Sequence, residues 1–117
     1  MIGKLIATLF LSRDVAHREH LKTTSYAAHM ALGDFYDEVI DLADKLAETY
    51  QGRHGVIDIP FLSAESDQAI DGQLESHLNA VEYMRAHAVG EDSTLQNIVD
   101  EVVALYLQTL YKLRRFK

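Results

Sequence analysis

The chain has no cysteine, no tryptophan and one proline in 117 residues. Without thiols it has no disulfides, no thiolate-held zinc or iron–sulfur cluster and no cysteine nucleophile. Any metal must therefore sit on His, Asp or Glu. Basic residues are scarce: 11 Lys plus Arg stand against 18 Asp plus Glu, a net charge of -7. That balance repels a polyphosphate backbone over most of the surface, so DNA binding is not expected. Long apolar runs are absent too, which argues against a membrane span. The run from Leu5 to Leu11 is shorter than most secretory cores, no small-x-small cleavage site follows it, and its periodicity continues into the next segment. A cytoplasmic location is expected. With 48% hydrophobic residues, the chain has the means to bury a core as a single domain spanning 1–117.

The apolar residues recur at helical spacing, and no stretch alternates like a strand. Ile2, Leu5, Ile6, Leu9, Phe10, Arg13, His17 and Leu21 share one face of a first helix, about Ile2 to Leu21. Thr23, Thr24 and Ser25 interrupt it, since their hydroxyls favour the first turn of a new helix over a helix interior. A second helix is expected from about Thr24 to Tyr50, with Leu32, Phe35, Val39, Leu42, Ala43, Leu46 and Tyr50 as its stripe and Gln51-Gly52 as its end. Arg53 to Leu62, which holds Gly55 and Pro60, reads as a connection. Ser63 is expected to cap a third helix to about Val89, Gly90 to stop it, and Asp92-Ser93-Thr94 to open a fourth to Arg115. The fold class is all-α: a four-helix bundle whose longer middle connection favours a ferritin-like crossover between helices 2 and 3.

Six His beside the 18 acids direct attention to ligand spacing. Asp44 and Glu48 lie one turn apart and project from one face of the second helix. A solvated acidic face is the ordinary explanation of such a pair. His29 lies about 60° from Asp44 and about 100° from Glu48 around the same helix. Along the axis, however, His29 and Asp44 are about 22 Å apart, so one chain cannot bring both to one ion. If the helix pairs antiparallel with a twofold mate, His29 meets the partner's segment midway between Asp44 and Glu48, and two sites form per dimer. Imidazole with carboxylate suits iron, manganese or zinc. His17 is either a second imidazole ligand or a partly buried His on the apolar face of the first helix.

The segment from His17 to Gly52 resembles the Dps family of miniature ferritins. His17, His29, Asp44 and Glu48 fall on that family's ferroxidase pattern, and Asp44-Lys45-Leu46-Ala47-Glu48 matches its Asp-x-x-Ala-Glu core. The match covers about a third of the chain, with a weaker echo in Tyr111-Lys112-Leu113-Arg114. The resemblance implies iron oxidation at sites between two subunits, with peroxide or dioxygen as oxidant and a hollow dodecamer that stores the product. Within it, His17 and His29 are nitrogen ligands, Asp44 a terminal carboxylate and Glu48 a bridging one. The chain departs from the family at three points, as a short, divergent, phage-type member would. Gly33 stands where an Asp usually follows the second His, leaving that role to Asp34, Asp37 or water. Arg18 replaces a Trp, for which Tyr26 and Tyr36 are the available substitutes. The usual Lys-rich tail is missing. No Glu-x-x-His pair of the larger di-iron bundles occurs.

Around this constellation, Asp34, Asp37, Glu38 and Asp41 would crowd like charges near the twofold and are expected to be solvated. His20 is either an outer partner of His17 or an ordinary helix-end His. His54, His77 and His87 receive no role, and Lys112, Arg114, Arg115 and Lys117 complement the negative end of the fourth helix. The alternative to a ferroxidase is a structural or interaction bundle that keeps the fold without the chemistry.

Overall fold

The computed structural model describes every residue except Ala64 and Glu65. Its described residues form four helices and no strand: α1 (Ile2–Lys22), α2 (Tyr26–His54), α3 (Ile70–Val89) and α4 (Ser93–Arg115). Each packs on two others. α1 lies against α2 and α3, α4 lies against α2 and α3, and the diagonal pairs hardly touch.

The helix ends follow from local chemistry. Ser25 caps α2, its side chain accepting from the Ala28 N–H. Asp92 caps α4 by accepting from the Thr94 and Leu95 N–H groups, and it is also bonded at 2.6 Å to Arg53 at the far end of α2. Gly52 does not stop α2. The helix runs on to His54 and ends at Gly55, whose φ of 95° is a left-handed value that favours glycine. The third helix starts six residues later than the Ser63 cap implies, at Ile70 behind Ala69, and part of the expected first turn lies outside the described residues.

The connection between α2 and α3 is consequently longer than Arg53 to Leu62, and its length has a purpose. Lys45 bonds Glu101 and Arg53 bonds Asp92, so α2 and α4 run antiparallel. Arg114 bonds Asp71 and Glu75 while Arg85 bonds Asp100, so α3 and α4 are antiparallel as well. α2 and α3 therefore run parallel on opposite corners, and residues 55–69 must return the length of the helices. Fifteen residues reach about 50 Å when extended, against about 30 Å for a 20-residue helix. The returning segment starts over α1. Ile57 enters the core, its N–H held at 3.0 Å by Gln51 Oε1, and the Asp58 carbonyl crosses Gly3 so closely that a Cβ there would overlap it.

The interior joins all four helices. Leu5, Ile6 and Leu9, Leu32, Phe35 and Val39, Leu74 and Val81, Leu95, Val99 and Val102 are fully buried. Phe35 meets Tyr106 edge to face with ring centroids 5.1 Å apart. The buried face of α1 is rotated from the expected one: Ser12 and Ala16 are inside, whereas Leu21 is 72% exposed. No described helix is long and apolar enough to cross a membrane.

Gly3→Ala is expected to push the returning segment off α1 and to cost about 1–3 kcal/mol, the usual range for overpacking. Urea denaturation reads this directly, with Lys4→Ala as a neighbouring exposed control expected to change stability by less than about 0.5 kcal/mol.

Candidate functional site

The turn between α1 and α2 is short because hydroxyls hold it. Thr23 Oγ1 accepts from the Ser25 N–H at 3.2 Å and Ser25 Oγ from the Ala28 N–H at 3.1 Å. The chain reverses there and brings the last turns of α1 against the first turns of α2. His20 and His29 meet across this angle, their rings stacked at 3.8 Å and 15° from parallel. Each ring is bonded to the other residue's backbone: His20 Nδ1 lies 2.7 Å from the His29 carbonyl and His29 Nδ1 2.8 Å from the His20 carbonyl. A carbonyl only accepts, so both Nδ1 atoms carry protons, and Nε2 is the ring nitrogen left outside these bonds.

Gly33 makes this packing possible. A Cβ at that position would stand 3.1 Å from His20 Cε1 and 3.3 Å from its Nδ1. The residue that appears in the sequence as a lost carboxylate is, in the fold, the space an imidazole occupies.

Next along the same seam, His17 stacks on Tyr36 at 4.3 Å, and Tyr36 also meets His20 edge to face at 5.3 Å. The Arg13 guanidinium lies 5.9 Å from the Tyr36 ring centre, a cation–π distance. Its Nε is buried without a partner among the described residues.

Of the four predicted ligands, the fold gathers His17 and His29 into one cluster, joined through His20. It leaves Asp44 and Glu48 exposed further along α2, about 22 and 28 Å from His29 at 1.5 Å per residue. Among the described residues no three His, Asp or Glu side chains converge on a common point. The His20–His29 pair is not a chelate by itself, because imidazole lone pairs lie in the ring planes and those planes are nearly parallel. Asp34, Asp37, Glu38 and Asp41 are all exposed on the single chain. Glu38 and Asp41 line a groove of about 370 Å³ between α2 and α4 with Glu101, over Leu42 and Leu105.

A second polar cluster joins α1, α3 and α4. Tyr106 donates to Ser12 Oγ at 2.6 Å, and Ser12 Oγ lies 2.7 Å from His77 Nδ1. Ser12 and Tyr106 are fully buried. Burial pushes the Tyr106 phenol up, so it remains a donor. Burial also pushes His77 below its ordinary value of 6.5, which favours the neutral ring. The available signal was Ser12 itself, a hydroxyl spaced between Leu9 and Ala16 on the inward face, since a buried hydroxyl demands a partner.

Ser12→Ala strands both neighbours and is expected to cost about 1–3 kcal/mol, more than Tyr106→Phe, which removes one bond worth about 1 kcal/mol. Chemical denaturation of the two variants checks the order. For His77 the unfolded chain binds the proton more readily than the folded one, so stability is full above pH 6.5 and falls as pH drops below it. Asn in place of His77 keeps an acceptor without titrating, and is expected to flatten that part of a stability-against-pH curve.

The sequence model of a family of unknown function, DUF5856, matches residues 20–113. An uncharacterized 14.6 kDa protein from the mobD-ri intergenic region of Enterobacteria phage T4 is 25% identical over 114 residues, covering 92% of this chain and 84% of that protein. No solved structure matches.

Proposed function

We propose that this chain, which belongs to the DUF5856 family, is a ferritin-like bundle that binds and oxidises Fe(II) between two copies. The observation that carries the reading is the pair of imidazoles whose Nδ1 protons are both committed to carbonyls. That arrangement orients a histidine for metal binding, because the second ring nitrogen is left as a fixed lone pair. His17 fits the same role. Its stacking on Tyr36 covers a ring face and leaves the ring edge free, and neither of its nitrogens has a hydrogen-bond partner among the described residues.

The carboxylates come from the second copy. Asp44 and Glu48 are exposed and unpaired among the described residues, and Lys45 between them turns to Glu101 instead. Packed antiparallel on its twin, α2 brings the His29 end of one chain to the Asp44 and Glu48 end of the other. His20, seated over Gly33, supplies a nitrogen donor where the Dps family has an acid. The bundle topology supports the reading as well: a long connection joins two parallel, diagonal helices, as a crossover in a ferritin-like bundle does. Exposed Glu38, Asp41 and Glu101 between α2 and α4 give Fe(II) a negative surface on which to accumulate.

In the reaction each Fe(II) gives up one electron, and two together reduce one peroxide to two hydroxides. The protein's part is to hold the metal with neutral nitrogens and anionic oxygens, which favour the ferric charge. The second reading is a structural bundle in which the same reciprocal bonds only fasten α1 to α2. The observation favouring it is the stacked geometry, which spends the ring faces on packing.

Anaerobic Fe(II) titration followed by peroxide separates the two. The expected result is ferric absorbance that saturates with added iron in the wild type and falls at least tenfold in rate in Glu48→Gln, an exposed substitution that leaves the fold intact. Equal rates in wild type, Glu48→Gln and His29→Ala would reject iron oxidation and leave the structural reading.

A further inference from the structure

The open groove between α2 and α4 lies on the flank of α2 away from the imidazole cluster. Glu38, on its rim, is about 180° round the helix from His29. A twin centred between His29 and Glu48 sits about 130° from Glu38 and leaves this flank uncovered. From Glu101 to Gln108 the groove follows α4 for about 10 Å and encloses about 370 Å³. Its floor is apolar, made by Leu42, Ala104 and Leu105. Leu105 is buried in the core, but Ala104 is exposed, and its single methyl lets another chain approach closely.

The rim has one sign. Glu38, Asp41 and Glu101 line the groove and no basic residue does. Lys45 neutralises Glu101 from beyond the lining, at 3.2 Å, whereas Glu38 and Asp41 form no ion pair among the described residues. Asp34 and Asp37 are exposed on the same stretch of α2 and add to the negative field. The α3–α4 groove differs on this point, because Arg114 pairs with its Glu75 and Arg115 lines it as well. Carboxylates held side by side without a counter-ion repel one another, and a cation seated between them removes that repulsion. The walls are helices whose backbone groups are already bonded to each other, so they offer no edge to an extended peptide. An occupant must satisfy its own backbone and cover an apolar floor between acids, which an amphipathic basic helix does.

We propose that the α2–α4 groove docks an amphipathic helix of a protein partner. Apolar side chains one turn apart on that helix lie over Leu42 and Ala104, and lysines or arginines on its flanks face Glu38 and Asp41. The floor is short, so the contact is small, roughly 500 Å² per partner against roughly 800 Å² for a standard stable interface. Charge therefore supplies much of the specificity and the speed of encounter, and binding is reversible and weakened by salt. The proposal does not depend on the iron reading, although a docked helix would cover carboxylates assigned there to gathering Fe(II).

Fluorescence anisotropy on the purified full chain tests this, with a labelled lysine–leucine peptide whose leucines recur at helical spacing and a scrambled peptide of the same composition. The helical peptide is expected to bind with a Kd of about 10 μM at low salt, and the scrambled one about tenfold more weakly. Glu38→Lys with Asp41→Lys is expected to weaken the helical peptide about tenfold. Ala104→Gln fills the floor at an exposed position without changing charge, and is expected to cost about fivefold. Circular dichroism verifies the fold of each variant. Equal binding of the scrambled peptide would mean that the acids act as a diffuse field, and binding indifferent to these substitutions would put the peptide elsewhere; either overturns the proposal. So does an unliganded chain that gains mass with concentration in light scattering and loses that gain in Ala104→Gln, because the groove then belongs to a second copy. His29→Ala with Glu48→Gln is expected to bind the peptide as the wild type does, whatever its rate of iron oxidation, so the two proposals fail separately.

Discussion

The unbroken course of α2 from Tyr26 to His54 fixes the geometry on which any shared chemistry depends. A hydrogen-bonded helix neither shortens nor folds back, so His29 stays four turns from Asp44 and more than five from Glu48. Within one chain the nitrogens and oxygens are kept apart by the same bonds that hold the helix together. A site that used both would need a second copy. The orientation of the His20–His29 pair is settled locally by two backbone carbonyls.

Much of the architecture was legible in the residues. Apolar stripes marked the first two helices and caps and a stop the other two, and the caps at Ser25 and Asp92 and the stop at Gly90 stand within a residue or two of where their chemistry put them. The ends of the middle connection were not legible. Gly52 and Gly55 look alike in sequence, and only the positive φ of Gly55 distinguishes the terminator. Ser63 has the right side chain for a cap, yet the connection must reach the far end of the bundle before α3 begins, so a distance requirement outweighed a local preference.

The candidate site divides in the same way. His17 and His29 were marked by spacing, and the fold gathers them. His20 was undecided between ligand partner and ordinary helix-end residue, because its place depends on contacts across the turn, with His29 nine residues on and Gly33 thirteen residues on, that periodicity does not carry. Ser12, His77 and Tyr106 come from three helices. Pairings between side chains on different helices follow from the packing, and no single stretch of sequence carries them. The hydroxyl at Ser12 showed that a partner was required without saying which.

The long return between α2 and α3 also bears on how the molecule is assembled in time. Each short turn joins helices that touch along their length, whereas residues 55–69 join two that scarcely meet. Contacts between neighbours in sequence form sooner than distant ones, because less chain must be ordered to close them. The α1–α2 and α3–α4 hairpins are thus natural early units, and burial of Ile57 beneath the strap over Gly3 belongs to the docking that unites them.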